Sequence, residues 1–141
     1  FKFKKNVFEA VKFLNKINYL VIIITNQSGI GRGFYTKRDL MVLHNWMKKK
    51  FKQKGAYIDD IYFSPYFEHS KKKYSYKEKL RRKPNKGMID EAKRKWLINI
   101  KDSFMIGDRT VDKKLANKAK LKFIKVNSNS DLLKIVAKNI R

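Results

Sequence analysis

Two polar segments of this 141-residue chain contain side chains that could bind a phosphate group and a metal ion. The first segment consists of Thr25, Asn26, Gln27 and Ser28, followed by Gly29, Gly31 and Gly33. Hydroxyls, amides and exposed backbone N–H groups hold phosphate oxygens, and glycine permits close approach of the backbone. The second segment begins at Gly107-Asp108, directly after an apolar run. The carboxylate of Asp108 is a hard oxygen donor suited to Mg²⁺. The two segments therefore predict phosphate and metal chemistry.

A basic run, Arg81-Arg82-Lys83, adds cations that could neutralise a phosphoryl group. Each of these features has a structural alternative. The glycine-rich segment could be only a turn, Asp108 could cap the next helix, and the basic run could be a solvated surface. Asp112, four residues after Asp108, suits a supporting or capping role equally well.

The elements that must position these residues alternate between strands and helices. Apolar runs rich in β-branched residues predict strands, and amphipathic periodicity predicts helices, the last of them capped by Ser130. The predicted strands are 19–25, 58–63, 103–106 and 121–126, and the predicted helices are 5–18, 36–55, 87–97, 113–120 and 131–140. Residues 64–85 contain both prolines and little periodicity, which predicts a long loop. We therefore expect an α/β fold with a Rossmann-like parallel sheet flanked by helices, and ligands at the carboxyl ends of its strands.

Composition restricts the remaining possibilities. The chain has no cysteine, which excludes disulfides, thiolate catalysis and cysteine-based zinc sites, and no apolar run approaches the length of a membrane helix. The formal charge of +24 favours polyanions, but the basic residues are mostly lysines spread along the whole chain, as a codon bias would also produce. We expect only weak, non-specific nucleic-acid binding with a steep salt dependence, no membrane association, a cytoplasmic location and a monomer.

In combination, three motifs resemble those of the haloacid-dehalogenase-like phosphatases. They are Thr25-Asn26-Gln27-Ser28 with the continuation Gly29–Thr36, then Arg82-Lys83-Pro84, then Gly107-Asp108-Arg109. The likeness runs from about residue 3 to residue 126. It is closest to the branch that holds heptose-bisphosphate phosphatases and histidinol-phosphatases, and the Gly29–Thr36 segment looks more like the former.

The resemblance implies a role for each matching residue. Thr25 would hydrogen-bond the phosphoryl group in flight and Lys83 would stabilise its charge. Asp108 would bind Mg²⁺, and the substrate would be held by Asn26, Gln27, Ser28, Arg82 and Arg109. The implied reaction is in-line attack by an aspartate on a phosphoryl group, which releases the sugar hydroxyl with a second aspartate as acid/base and leaves an aspartyl-phosphate that water hydrolyses. The implied substrate is a small phosphorylated sugar, with the 7-phosphate of a heptose 1,7-bisphosphate, a lipopolysaccharide precursor, as the group removed. Histidinol phosphate is the alternative substrate, and a basic nucleic-acid-binding module on a phosphatase scaffold is the alternative of another class.

Two features depart from the family pattern. The Asp-x-Asp motif of the first central strand does not occur in these residues, and the sequence begins with Phe1. We therefore expect residues 1–141 to be a single phosphatase domain that lacks this strand, and to be inactive alone. The cysteine-based zinc loop of many relatives is also missing between residues 64 and 81, so no zinc is expected.

Overall fold

The computed structural model describes residues 1–140, in which helices and strands alternate. The helices are α1 (Val7–Lys16), α2 (Ser28–Gly31), α3 (Lys37–Gln53), α4 (Tyr76–Arg81), α5 (Gly87–Lys95), α6 (Thr110–Lys118) and α7 (Leu132–Asn139), with one 3₁₀ turn at Ile100–Asp102. The strands are β1 (Ile22–Asn26), β2 (Asp60–Ser64), β3 (Phe104–Gly107) and β4 (Lys122–Lys125). The predicted α/β class is confirmed.

The strands pair in parallel, β1 with β2 and β3 with β4. In the second pair Phe104 lies opposite Lys122 and Gly107 lies opposite Lys125. Two backbone bonds flank the first pair, from Asp59 N to Val21 O and from Gln27 N to Ser64 O, and they advance in the same direction along both strands. The predicted parallel strands are therefore present as two hydrogen-bonded pairs.

By its internal contacts the chain divides into two compact units. One contains residues 1–23, residues 38–61 and the C-terminal segment from Asn127. Its core includes an apolar cluster of the buried residues Val11, Phe51, Ala56 and Ile58, against which Phe3, Val7, Phe8, Val21, Ile23 and Ile61 pack. In the same unit α1 packs on α7, and Asn6 Nδ2 donates to Asp131 Oδ2 at 2.9 Å.

The other unit consists of residues 24–37 and 62–126. Its centre is apolar, because Met88 of α5 and Leu115 of α6 are 0% exposed and α6 packs on both β3 and β4. Every residue to which the sequence assigned a role in phosphate or metal binding belongs to this unit.

Three local predictions were wrong. The predicted loop 64–85 contains α4, which begins because Ser75 Oγ accepts from Glu78 N at 3.1 Å. Residues 28–31 form the short helix α2. The cap of α7 is Asp131, whose carboxylate accepts from Lys134 N, whereas Ser130 Oγ accepts from Asn127 N.

Within residues 1–140, no helix is long and apolar enough to cross a bilayer.

Candidate phosphate and metal site

The candidate residues lie where β1 and β3 end. Thr25 and Asn26 are the last two residues of β1. Gly107 ends β3, and Asp108 and Arg109 connect it to α6. This is the carboxyl-end placement that a parallel α/β fold favours for ligand binding.

The side chain of Asn26 binds the backbone of Lys83 at two points. Asn26 Oδ1 accepts from Lys83 N at 2.9 Å, and Asn26 Nδ2 donates to Lys83 O at 3.2 Å. The peptide bond that follows Lys83 is cis, and Pro84 has no N–H to offer. The two bonds fix the backbone of Lys83 beside the end of β1, so Asn26 has a positioning function in addition to the substrate contact predicted for it.

The ammonium group of Lys83 is held by a buried carboxylate. Lys83 Nζ lies 2.6 Å from Asp112 Oδ1, and the two side chains are 11% and 6% exposed. Asp112 Oδ2 also accepts from Arg109 N at 3.1 Å, which satisfies the first turn of α6. The interpretation of residues 81–83 as a solvated basic run is therefore wrong for Lys83, and Asp112 has the supporting and capping role that its spacing allowed.

Gly107 allows Asp112 to lie this close to the end of β3. A Cβ atom built on Gly107 would lie 2.5 Å from Asp112 Cβ and 2.7 Å from its Oδ2. Such contacts are far inside van der Waals distance, so any side chain at position 107 would displace the carboxylate that holds Lys83.

Asp108 differs from Asp112 in both exposure and bonding. It is exposed, and within residues 1–140 its carboxylate has no hydrogen-bond or ion-pair partner. The cap residue of α6 is Arg109, so Asp108 is not the helix cap that the structural alternative supposed. A free carboxylate directly after a strand fits one ligand position of Mg²⁺.

The acidic side chains of residues 1–140 can supply one carboxylate ligand for a magnesium ion. Residues 1–140 contain no cluster of three acidic or histidine side chains that could enclose a metal. Mg²⁺ is commonly bound by one or two carboxylates together with waters and substrate phosphate, so a single carboxylate is compatible with it. Asp108 can provide that ligand, whereas Asp112 is already committed to Lys83 and Arg109 N.

Thr25 belongs to a chain of side-chain hydrogen bonds in the glycine-rich segment. Gln27 Nε2 donates to Thr25 Oγ1 at 3.0 Å, and the Tyr35 hydroxyl donates to Gln27 Oε1. Burial raises the pKa of Tyr35, so its hydroxyl remains protonated. Ser28 begins α2 beside this chain. Tyr35 lies inside the segment that carries the family resemblance, but its residue type and spacing predicted no role for it.

The three basic residues of the run 81–83 have different partners. Arg81 is structural, because it pairs with Glu78 at 2.7 Å and Glu91 at 2.9 Å. Arg82 donates one N–H to Tyr66 O at 3.1 Å, and a guanidinium has further donors to offer a ligand. Arg109 is exposed next to Asp108. Arg82 and Arg109 therefore keep the donor capacity that the predicted substrate contacts require.

Comparison with known proteins gives a consistent result. Residues 80–138 match the HAD-hydrolase-like family. The chain is 39% identical over 113 residues to a D-glycero-alpha-D-manno-heptose-1,7-bisphosphate 7-phosphatase of Burkholderia mallei. These residues cover 79% of this chain and 59% of that protein. The chain is also 37% identical over 123 residues to a D-glycero-beta-D-manno-heptose-1,7-bisphosphate 7-phosphatase of Haemophilus influenzae. In this case the matched residues cover 86% of this chain and 66% of that protein.

The fold is also similar to a solved structure. A D,D-heptose 1,7-bisphosphate phosphatase from B. bronchiseptica, complexed with magnesium and phosphate, superposes with a TM-score of 0.72 at 24% identity, over 94% of this chain and 69% of that one. The chain spans between about three fifths and two thirds of the length of the curated relatives it matches. Its motifs, its fold and its relatives agree, and the chain belongs to the haloacid-dehalogenase-like hydrolases.

Proposed function

We propose that the protein is a Mg²⁺-dependent phosphatase that removes the 7-phosphate of D-glycero-D-manno-heptose 1,7-bisphosphate. The support from comparison is that relatives at 35–39% identity bear that activity in their names. Because the chain spans only part of those relatives, the activity is proposed for the product of the complete gene. A cytoplasmic location belongs to the same proposal, since a doubly phosphorylated sugar does not cross membranes unaided. The monomeric state stays a prediction from the sequence.

One structural observation carries the proposal. The ammonium of Lys83 is fixed from two sides, by the Asn26 side chain at its backbone and by Asp112 at its Nζ. Ordering a long cationic side chain costs conformational entropy, and a surface lysine gains little in return. A lysine that is ordered and mostly buried beside two strand ends is suited to neutralise a phosphoryl group.

The other residues have complementary roles in this proposal. The hydroxyl of Thr25 at the end of β1 donates to a phosphoryl oxygen, and Gln27 and Ser28, which follow it at the start of α2, hold the substrate. Arg82 and Arg109 bind the remaining oxygens of the substrate with their free guanidinium donors. These oriented donors and cations stabilise charge that develops during transfer, which is the main source of catalysis in phosphoryl transfer.

Mg²⁺ bound at Asp108 would supply further charge neutralisation on the phosphoryl oxygens. Residues 1–141 contain no Asp-x-Asp pair, the motif that carries the nucleophile in the family this chain belongs to. The proposal therefore assigns to these residues the holding and neutralising of the phosphoryl group, and assigns no nucleophile among them.

The test is phosphate release by the purified product of the complete gene. Heptose 1,7-bisphosphate and histidinol phosphate are offered in parallel, each with Mg²⁺ and with a chelator. We expect Mg²⁺-dependent release from the heptose substrate and a much lower kcat/KM with histidinol phosphate. Release from histidinol phosphate alone, or equal release with the chelator, contradicts the proposal. The 141-residue chain in the same assay is expected to release none.

A further inference from the structure

Tyr35 is the one member of the hydrogen-bond chain at Thr25 that no part of the proposed mechanism uses. It lies ten residues after Thr25, beyond the short helix α2, and is half-buried. Its ring packs so closely over Gly29 that a Cβ atom on Gly29 would clash with Tyr35 Cε1. The lack of a side chain at position 29 therefore lets the ring lie where its hydroxyl meets the Gln27 amide.

We infer that Tyr35 is a positioning residue, which orients the Gln27 amide and through it the hydroxyl of Thr25 toward the phosphoryl group. This inference rests on the proposed function. The relay consists of two bonds in series, from the Tyr35 hydroxyl to Gln27 Oε1 and from Gln27 Nε2 to Thr25 Oγ1.

The direction of the donors is what makes the relay useful. When Gln27 Nε2 donates to Thr25 Oγ1, the threonine oxygen is an acceptor and its own O–H remains able to donate to a ligand. The only acceptor that the O–H meets within residues 1–140 is Asn26 O at 3.4 Å, which is long for an O–H···O bond. A phosphoryl oxygen would be a better acceptor, because charged acceptors form shorter and stronger bonds.

The opposite orientation of Gln27 would disable Thr25. If Gln27 Oε1 faced Thr25, the threonine O–H would donate to that oxygen and would not be free for a ligand. A phenol hydroxyl can donate and accept. It is the stronger donor, because one oxygen lone pair is delocalised into the ring, so Tyr35 favours the orientation in which Oε1 faces it. Burial raises the pKa of Tyr35 and keeps the donor proton in place across the working pH range.

The experiment compares Tyr35→Phe with Tyr57→Phe in the complete gene product. Tyr35→Phe removes the hydroxyl and keeps the ring on Gly29, and Tyr57, whose ring is exposed, supplies a matched control. We expect Tyr35→Phe to lower kcat about tenfold and to leave KM within about twofold. Removal of the donor that contacts the phosphoryl group would lower kcat more, by roughly 10²–10³-fold. In a Thr25→Val background the same substitution should have no further effect on kcat.

A second measurement does not depend on turnover. Nuclear magnetic resonance of the Gln27 side-chain amide should show slow hydrogen exchange in the wild type and in Tyr57→Phe, and fast exchange in Tyr35→Phe. Unchanged exchange in Tyr35→Phe overturns the inference, as does an undiminished fall in kcat in the Thr25→Val background. If the wild type releases no phosphate from any substrate, the proposed function fails, and the exchange measurement still decides whether Tyr35 holds Gln27.

Discussion

Replacing Asp112 with asparagine tests the buried ion pair that holds Lys83. The substitution keeps the shape of the side chain and an oxygen that can accept from Arg109 N, so it removes mainly the negative charge. Lys83 Nζ, 2.6 Å from the carboxylate in the wild type, is then left as an unpaired charge in a side chain that is only 11% exposed. Removing one partner of a buried pair costs about 3–5 kcal/mol.

That cost is a large fraction of the roughly 5–15 kcal/mol by which a domain is stable. In urea denaturation followed by circular dichroism, we expect the midpoint to fall by at least about 1 M. Glu68→Gln is the matched control, because it neutralises an exposed carboxylate in the same unit and should shift the free energy of unfolding by less than about 0.5 kcal/mol.

A double variant makes the test specific for the pair. Lys83→Met combined with Asp112→Asn removes both charges, and its loss of stability should be smaller than the sum of the two single losses. If Asp112→Asn alone unfolds at the wild-type midpoint, or if the losses are strictly additive, the reasoning about the pair is refuted.

Three further predictions concern turnover, packing and pH. Lys83→Ala should lower kcat of the complete gene product on the order of 10²–10³-fold, whereas Lys73→Ala, which removes an exposed charge, should change it little; equal tolerance would remove Lys83 from the site. Leu115→Ala should destabilise the protein by about 2–5 kcal/mol in urea titration, because Leu115 is 0% exposed. Burial, and secondarily the charge of Lys48, lowers the pKa of His44 in the folded protein. As pH falls, His44 therefore takes up a proton in the unfolded chain before it does so in the folded chain. The free energy of unfolding should decline below about pH 6.5, with a shallower slope in His44→Gln.

The alternation of strands and helices was predictable because it is recorded in local periodicity. Helix α5, predicted over 87–97, is observed over Gly87–Lys95. Helix α4 was also within reach of the sequence, since Ser75 followed three residues later by Glu78 is a capping-box pattern, but the prolines and lysines around it favoured a loop. The cap of α7 was misplaced by one residue because Ser130 and Asp131 are both good caps, and the choice depends on where the chain turns.

The contacts that build the candidate site were not predictable. Asn26 and Lys83 are 57 residues apart, and Lys83 and Asp112 are 29 apart, so neither pairing leaves a local pattern. In a chain with 36 basic residues, composition and charge do not distinguish Lys83 from a solvated lysine. The resemblance at Arg82-Lys83-Pro84 singled it out, but that motif did not indicate Asp112 as its partner. Tyr35 was missed for a related reason, because its function depends on the ring lying over Gly29.

Phosphorus NMR of a reaction with D-glycero-D-manno-heptose 1,7-bisphosphate tests the central claim most directly. The complete gene product with Mg²⁺ should convert the 7-phosphate signal to inorganic phosphate while the 1-phosphate signal stays intact. Loss of the 1-phosphate first, or no loss of either signal under conditions in which histidinol phosphate is hydrolysed, would contradict the account.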